Sequence, residues 1–297
     1  MMYRNLVLYF TALLSLSMSA NIVKISEGPI TVFGFWRLVF AFIVVLPMAI
    51  GPGQLKKHLK EDRKDLYVAI LSGLLFWGHL WTFFYASKNT SIAHTMIIYS
   101  THPLFSALGA YFWFQEKITL RLIIAYILAA LGVTVLVQPH LQMNHGGLLS
   151  GDLAALCSAA LFSGYILSGK KSRQKLSNYT FSSIIYIVAA ICFALMVNTQ
   201  NLPWTGYANS FWVGIFLSTL FPTLLGHALF TYLMNFMNVN TMTLGKLIEP
   251  VFASIAAYFL FQEQLTSFTF VAFLLISLAL LVLFLPFERL QGKIEGE

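Results

Sequence analysis

Long apolar runs, each ended by a few polar, Gly or Pro residues, recur along the whole chain. Ten come close to the roughly 17–25 residues that an α-helix needs to cross a bilayer. They lie at 6–23, 31–50, 66–86, 91–113 and 119–137, then 151–168, 180–197, 209–233, 239–260 and 266–285. Gly-Pro at 28–29, Gly-Pro-Gly at 51–53, Gln-Pro at 138–139, Gly-Gly at 146–147 and Leu-Pro-Trp at 202–204 punctuate them. The breaks at 86–91 and 233–239 are the least marked. Barrel strands alternate in polarity and these runs do not. Lipid cannot satisfy backbone amides, so such segments must close their hydrogen bonds internally. The pattern predicts an all-α membrane protein with ten transmembrane helices.

Composition agrees. Of 297 residues, 58% are hydrophobic and only 10% are charged, against about a quarter charged in a soluble domain. The net charge of +7 would suggest nucleic acid if it were clustered on one face. Instead the basic residues sit in short loops between apolar runs. With both termini placed in the cytoplasm, fourteen of the 18 Lys and Arg fall on the inside, from Arg4 through the 56–64 and 170–175 loops to Lys293. Only Lys24 and Lys88 fall outside, and Arg37 and Lys246 lie within spans. Cys157 and Cys192 lie in apolar runs and form no metal or disulfide pattern.

The chain also repeats itself. Shifted by 147 residues, Pro103–Thr119 falls on Pro250–Thr266 with nine of seventeen positions identical, including the Phe-Gln-Glu that ends at Glu116 and Glu263. The same shift places Asn5-Leu6 on Asp152-Leu153, and a shift of 148 places Gly78-His79 on Gly226-His227. The first apolar run thus has a partner in the sixth, which argues for a retained span over a cleaved signal peptide. Five crossings per copy force the copies into opposite orientations, the plan of many secondary transporters. Loop charge agrees: Lys117 and Arg121 follow Glu116, whereas Gln264 follows Glu263. The expected units are 1–146 and 147–297, two inverted five-helix repeats.

The duplicated segment ending in Phe-Gln-Glu, the Glu249-Pro250 pair and the Phe35-Trp36-Arg37-Leu38 run resemble the drug/metabolite transporter superfamily, specifically its EamA-type ten-helix members. The resemblance covers nearly the whole chain. It implies a bacterial inner-membrane carrier of amino acids or related metabolites, often an exporter. Some relatives import nucleotides or S-adenosylmethionine, and nucleotide-sugar and triose-phosphate carriers share the architecture. Lys246 departs from the general pattern and points to this chain's own solute.

An ionisable residue at a helix centre costs roughly 2.5–3.5 kcal/mol on insertion scales, so those in the spans are the candidates. Lys246 and Glu249 share a helix face at i and i+3, about 10–15 Å into the ninth span at 1.5 Å per residue. The 147-residue shift relates them to Tyr99 and His102. The expected substrate-binding set is Lys246 for a carboxylate or phosphate, Glu249 for an amine, and His102, Tyr99 and Trp77 around them. A structural Lys246–Glu249 pair is the plain alternative. Glu249, His102 and His227 are candidates for proton coupling, although His79 and His227, each after a glycine, also suit tight packing. Pro103 and Pro250 remove a backbone donor and suit a kink or hinge. Arg37 is expected to be structural, for instance by snorkelling or capping a carbonyl. Glu116 and Glu263 are expected to sit beside helix N-termini begun by Thr119 and Thr266.

No G-x-x-x-x-G-K-[ST] is present, so the sequence offers no ATP-driven mechanism. An intramembrane enzyme would need H-E-x-x-H, paired aspartates or G-x-S-x-G, and none occurs. The expectation is therefore a carrier with no catalytic residues, cofactor, metal or nucleic-acid partner. It would act as a monomer on a small-molecule solute in the lipid bilayer, with both termini cytoplasmic.

Overall fold

The computed structural model describes residues 2–51, 57–58, 63–141, 149–262 and 267–284. They form ten helical rods, at the positions of the ten apolar runs, with no strand among the described residues. The first rod is α1 (Met2–Ser17) and α2 (Ser19–Ile25), the second α3 (Ile30–Ile50) and the third α4 (Arg63–Asn89). The fourth joins α5 (Ile92–Tyr99) to α6 (His102–Phe114), and the fifth is α7 (Leu120–Leu141). In the second half come α8 (Leu149–Arg173) and α9 (Asn178–Thr199). The eighth rod runs from α10 (Asn209–Ser218) through a π-helix (Thr219–Ala228) into α11 (Leu229–Leu233). The ninth is α12 (Val239–Gly245), a 3-10 turn (Lys246–Ile248) and α13 (Glu249–Phe261), and the tenth is α14 (Ser267–Phe284).

Seven rods are long and apolar enough to cross a membrane: the first three and the sixth to ninth. The fourth is interrupted, and the fifth and tenth hold shorter apolar helices, Leu120–Gly132 and Phe270–Ala279. The described helices thus support seven crossings by length and composition, and ten remains the expectation. Glu263, Thr266, Arg289, Lys293, most of the 52–62 loop and the boundary at 146/147 lie outside the described residues.

Large apolar side chains point outward from the bundle: Phe112, Phe259 and Leu120 are each more than 70% exposed. Water would penalise such a surface, and hydrocarbon does not. Inside, small polar side chains bridge the rods. Ser72 donates to Ser168 (2.8 Å) and Ser106 to Ser163 (3.0 Å), the kind of interhelical bond that holds membrane helices where hydrophobic burial contributes little.

Packing repeats with the sequence. The third rod lies on the sixth as the eighth lies on the first, and the fourth lies on the sixth as the ninth lies on the first. The second with the seventh, the fifth with the tenth, and the fourth with the ninth map onto themselves when five is added to each rod number. Backbone detail repeats as well. Gln115 (φ 52°) and Gln262 (φ 57°), 147 residues apart, both end their helices in the left-handed conformation and donate back to Ala110 and Ala257.

The same holds where both rods break. Proline has no N–H to donate and its ring crowds the preceding turn. Accordingly α5 stops at Tyr99 and α6 begins at His102, next to Pro103, while α12 tightens into a 3-10 turn at Lys246–Ile248 before Glu249-Pro250. The eighth rod differs from the third in one respect. Its register relative to the first half is longer by one residue at Gly226-His227, and there the helix is π, which carries more residues per turn. Pro222 cannot donate to Ser218, and the Thr223 hydroxyl takes that carbonyl at 2.8 Å instead.

Candidate substrate site

Both helix breaks fall at the middle of their rods, and the side chains beside them converge. Lys246, on the 3-10 turn, and Glu249, at the start of α13, are 2% and 3% exposed. Lys246 Nζ donates to Glu249 Oε1 in a buried ion pair. Three rings surround the ammonium: Phe162 at 4.8 Å, Phe230 at 5.4 Å and Tyr99 at 5.7 Å from Nζ to ring centroid. Ring faces carry partial negative charge, so the cage stabilises a cation that one carboxylate alone would hold poorly in a dry site.

The ninth rod reaches this point only because Gly245 lets it approach the first. A Cβ there would stand 1.9 Å from the Tyr9 hydroxyl oxygen. That hydroxyl donates to the carbonyls of Thr241 (3.0 Å) and Met242 (2.8 Å), tying α1 to α12 just ahead of Lys246.

Histidines close the other side. The ring of His79 stacks on Tyr99 at 5.4 Å, and its Nδ1 bonds Ser158 Oγ at 2.8 Å. His102 packs 5.0 Å from Tyr99 and 4.9 Å from Phe162. His227 lies 6.1 Å from His79 and 4.8 Å from Phe76. The Nδ1 atoms of His102 and His227 and the Tyr165 hydroxyl are buried without a hydrogen-bond partner among the described residues. Leaving such groups unpaired costs about 1–3 kcal/mol each, a price usually tolerated where a ligand, water or proton visits. A cavity of about 20 Å³ opens among His79, Phe83, Tyr99, His227, Lys246 and Glu249. That holds one water and no metabolite, so the structure is closed around its polar centre.

Lys246, Glu249, Tyr99 and His227 line this cavity, and His102 stands behind Tyr99. Trp77 does not line it: it is half-buried on α4, two residues from His79, with its indole N–H unpartnered among the described residues. Phe162, Phe230, Tyr9 and Gly245 escape a reading of the sequence. Nothing separates two of 27 Phe from the rest before the rods are packed.

Two expectations need correction. Arg37 neither snorkels nor caps a carbonyl. It is fully buried, its Nε donates to Thr223 Oγ1 on the π-helix (2.7 Å), and its guanidinium lies 5.3 Å from the Phe84 ring. Both terminal nitrogens lack a partner among the described residues. Thr119 does begin α7, accepting from Leu122 N at 3.2 Å, but Glu116 serves another helix. Its carboxylate accepts from the backbone N–H of Val239 (2.7 Å) and Asn240 (3.1 Å), from Asn240 Nδ2 (2.9 Å) and from Lys170 Nζ (3.1 Å). It thereby ties the ends of the fourth and sixth rods to the start of the ninth. Lys170 also lies 5.4 Å from the Phe114 ring. Lys24 lies 5.1 Å from Phe261, the residue 147 positions after Phe114.

The model of the EamA-like transporter family matches residues 5–138 and again 149–285. The chain belongs to the EamA-like transporter family. Membership makes it a membrane transporter of the drug/metabolite type. It is 25% identical over 249 residues to an uncharacterized transporter of Clostridium kluyveri, covering 80% of this chain and 79% of that one. It is 28% identical over 238 residues to an S-adenosylmethionine uptake transporter of Rickettsia felis, covering 77% and 74%. A solved crystal structure at 18% identity superposes with a TM-score of 0.76 over 97% of this chain and 99% of the other, a likeness of fold. The two family matches fall on the two halves of this EamA-like chain, on either side of the 142–148 segment.

Proposed function

We propose that this EamA-like transporter is a secondary carrier that moves a small carboxylate-bearing metabolite, of the amino-acid kind, across the bacterial inner membrane by alternating access, in the direction of export. The observation that carries the reading is the buried Lys246–Glu249 pair beside the cavity. A buried ion pair contributes little to stability once its desolvation is counted, and breaking it by removing one partner is costly. A zwitterion avoids that cost. Its carboxylate replaces Glu249 on Lys246, and its ammonium takes up the freed Glu249, so one pair becomes two and no charge is left alone. Tyr99, Phe162 and Phe230 then pack the solute's apolar part.

In this reading residues 1–146 and 147–297 are the two inverted repeats, with both termini in the cytoplasm. They rock about the breaks at Pro103 and Pro250, and the 20 Å³ cavity marks where the solute binds between them. Glu249, His102 and His227 are the groups placed to exchange a proton as the pair opens.

Uptake of S-adenosylmethionine or a similar nucleotide-type solute is the second reading. Relatives carrying that name match three-quarters of the chain. The rings that hold the Lys246 ammonium would also hold a solute sulfonium.

Flux into proteoliposomes tests the first reading. A panel of amino acids, dicarboxylates and S-adenosylmethionine is screened for saturable, counterflow-competent transport. Lys246→Ala is expected to abolish saturable flux of the best solute while the purified protein still inserts and folds. Normal flux through that variant removes the proposed anion site.

A further inference from the structure

Away from the central cavity, a larger pocket of about 500 Å³ opens at the end of the bundle that carries the basic loops. Lys57, Arg173, Lys175, Tyr179, Tyr232 and Asn235 are among the residues lining it, and among the described residues no acidic side chain lines it. Its floor is built. Arg173 is 5% exposed and held by the carbonyls of Thr231 (3.2 Å) and Leu176, which leaves its Nη2 without a partner among the described residues. The wall is fixed as well: Ser177 N donates to His58 Nε2 (3.3 Å), and Asn178 Nδ2 donates to the Ala228 carbonyl (3.1 Å). A fourth cation stands nearby, with Arg4 Nη2 donating to the Tyr232 hydroxyl at 3.3 Å.

Against this pocket lies a groove of about 370 Å³ of the opposite character. Leu8, Val44, Val45, Met48, Leu224 and Leu229 line it, and Asn178, Tyr179 and Tyr232 belong to both groove and pocket. Val44 and Met48 are 46% and 47% exposed on the outside of the second rod, so the groove faces the hydrocarbon. A soluble anion would use the pocket and leave the groove empty, and an apolar solute would do the reverse. A molecule that is anionic at one end and a hydrocarbon chain at the other fits both.

We propose that this site binds one anionic phospholipid, its headgroup phosphate among Lys57, Arg173 and Lys175 and an acyl chain in the groove between the first, second and eighth rods. Charge complementarity names the headgroup, since basic clusters at the cytoplasmic membrane surface select anionic lipid. Occupancy would brace the second rod against the eighth, whose π-helix holds Arg37 and His227.

The test is lipid retention by native mass spectrometry of the full chain, with phosphatidylglycerol and phosphatidylcholine supplied equally. The wild type is expected to retain phosphatidylglycerol preferentially. Lys57→Gln with Lys175→Gln, both on the pocket rim, should lower that preference by roughly thirtyfold, the factor for two juxtamembrane cations. Val44→Trp keeps every charge but fills the groove, and should also lower retention. Each variant's thermal midpoint in phosphatidylcholine, expected to match wild type, shows that it folds. Equal retention of the two lipids by wild type overturns the proposal. So does stabilisation by sn-glycerol 3-phosphate equal to that by phosphatidylglycerol, because the occupant would then be a free anion.

Discussion

Removing the Glu116 carboxylate should open one end of the bundle. Its four contacts join the fourth, sixth and ninth rods, which in the proposed alternating-access cycle would part as the central cavity opens to the side carrying the basic loops. A hydrogen bond to a charged group is worth about 1.5–3 kcal/mol, but these four share one carboxylate and are not additive. The ion pair with Lys170 is also partly screened, its side chains being 16% and 12% exposed. Taking about 3 kcal/mol for the whole set, and about 1.4 kcal/mol per tenfold change, Glu116→Ala should raise the open fraction on that side by roughly a hundredfold. The readout is a cysteine in place of the buried Thr243, in a background without Cys157 and Cys192, labelled by an impermeant maleimide from that side. Labelling should accelerate by that factor, and Lys170→Met should add little once Glu116 is gone. Unchanged labelling in a folded Glu116→Ala protein would refute the idea that this carboxylate holds the end closed.

Three further outcomes follow from the same geometry. Gly245→Ala places a methyl 1.9 Å from the Tyr9 hydroxyl and should lower the thermal midpoint by several degrees, with partial recovery in Tyr9→Phe; an unchanged midpoint would mean the two rods are not in contact. Thr223→Val keeps shape but strips the acceptor from Arg37 Nε, so it should destabilise by about 1–3 kcal/mol, whereas Thr223→Ser should be close to neutral in the same melting assay. Pro250→Ala permits a continuous helix through the ninth break; solute binding by calorimetry should persist while turnover in proteoliposomes falls at least tenfold, and wild-type turnover would rule out bending at that proline.

Much of the architecture was legible beforehand, for physical reasons that act locally. Lipid forces every crossing segment to satisfy its own backbone, so the apolar runs and their Gly-Pro punctuation located ten helical rods within a few residues. The prolines of the 147-residue repeat anticipated paired helix breaks at Pro103 and Pro250, because proline imposes the same local geometry wherever it recurs, whereas the paired left-handed ends at Gln115 and Gln262 emerged only with the structure. The cost of burying charge singled out Lys246, Glu249 and the histidines. It also singled out Arg37, but there the expectation of snorkelling failed, because its partner Thr223 is 186 residues away and only packing brings it near.

The sequence by itself therefore determined which segments are helical, where they bend, that the halves repeat and which ionisable groups lie within the apolar runs. Tertiary structure alone decided what those groups meet. It chose Phe162 and Phe230 as the cage of Lys246, sent Glu116 to the ninth rod rather than the fifth, and used a π-helix to absorb the extra residue before His227. The reason is range. Backbone satisfaction and proline geometry are settled within one turn of helix, whereas the neighbour of a buried side chain depends on how rods distant in the chain pack side by side, and no local pattern encodes that.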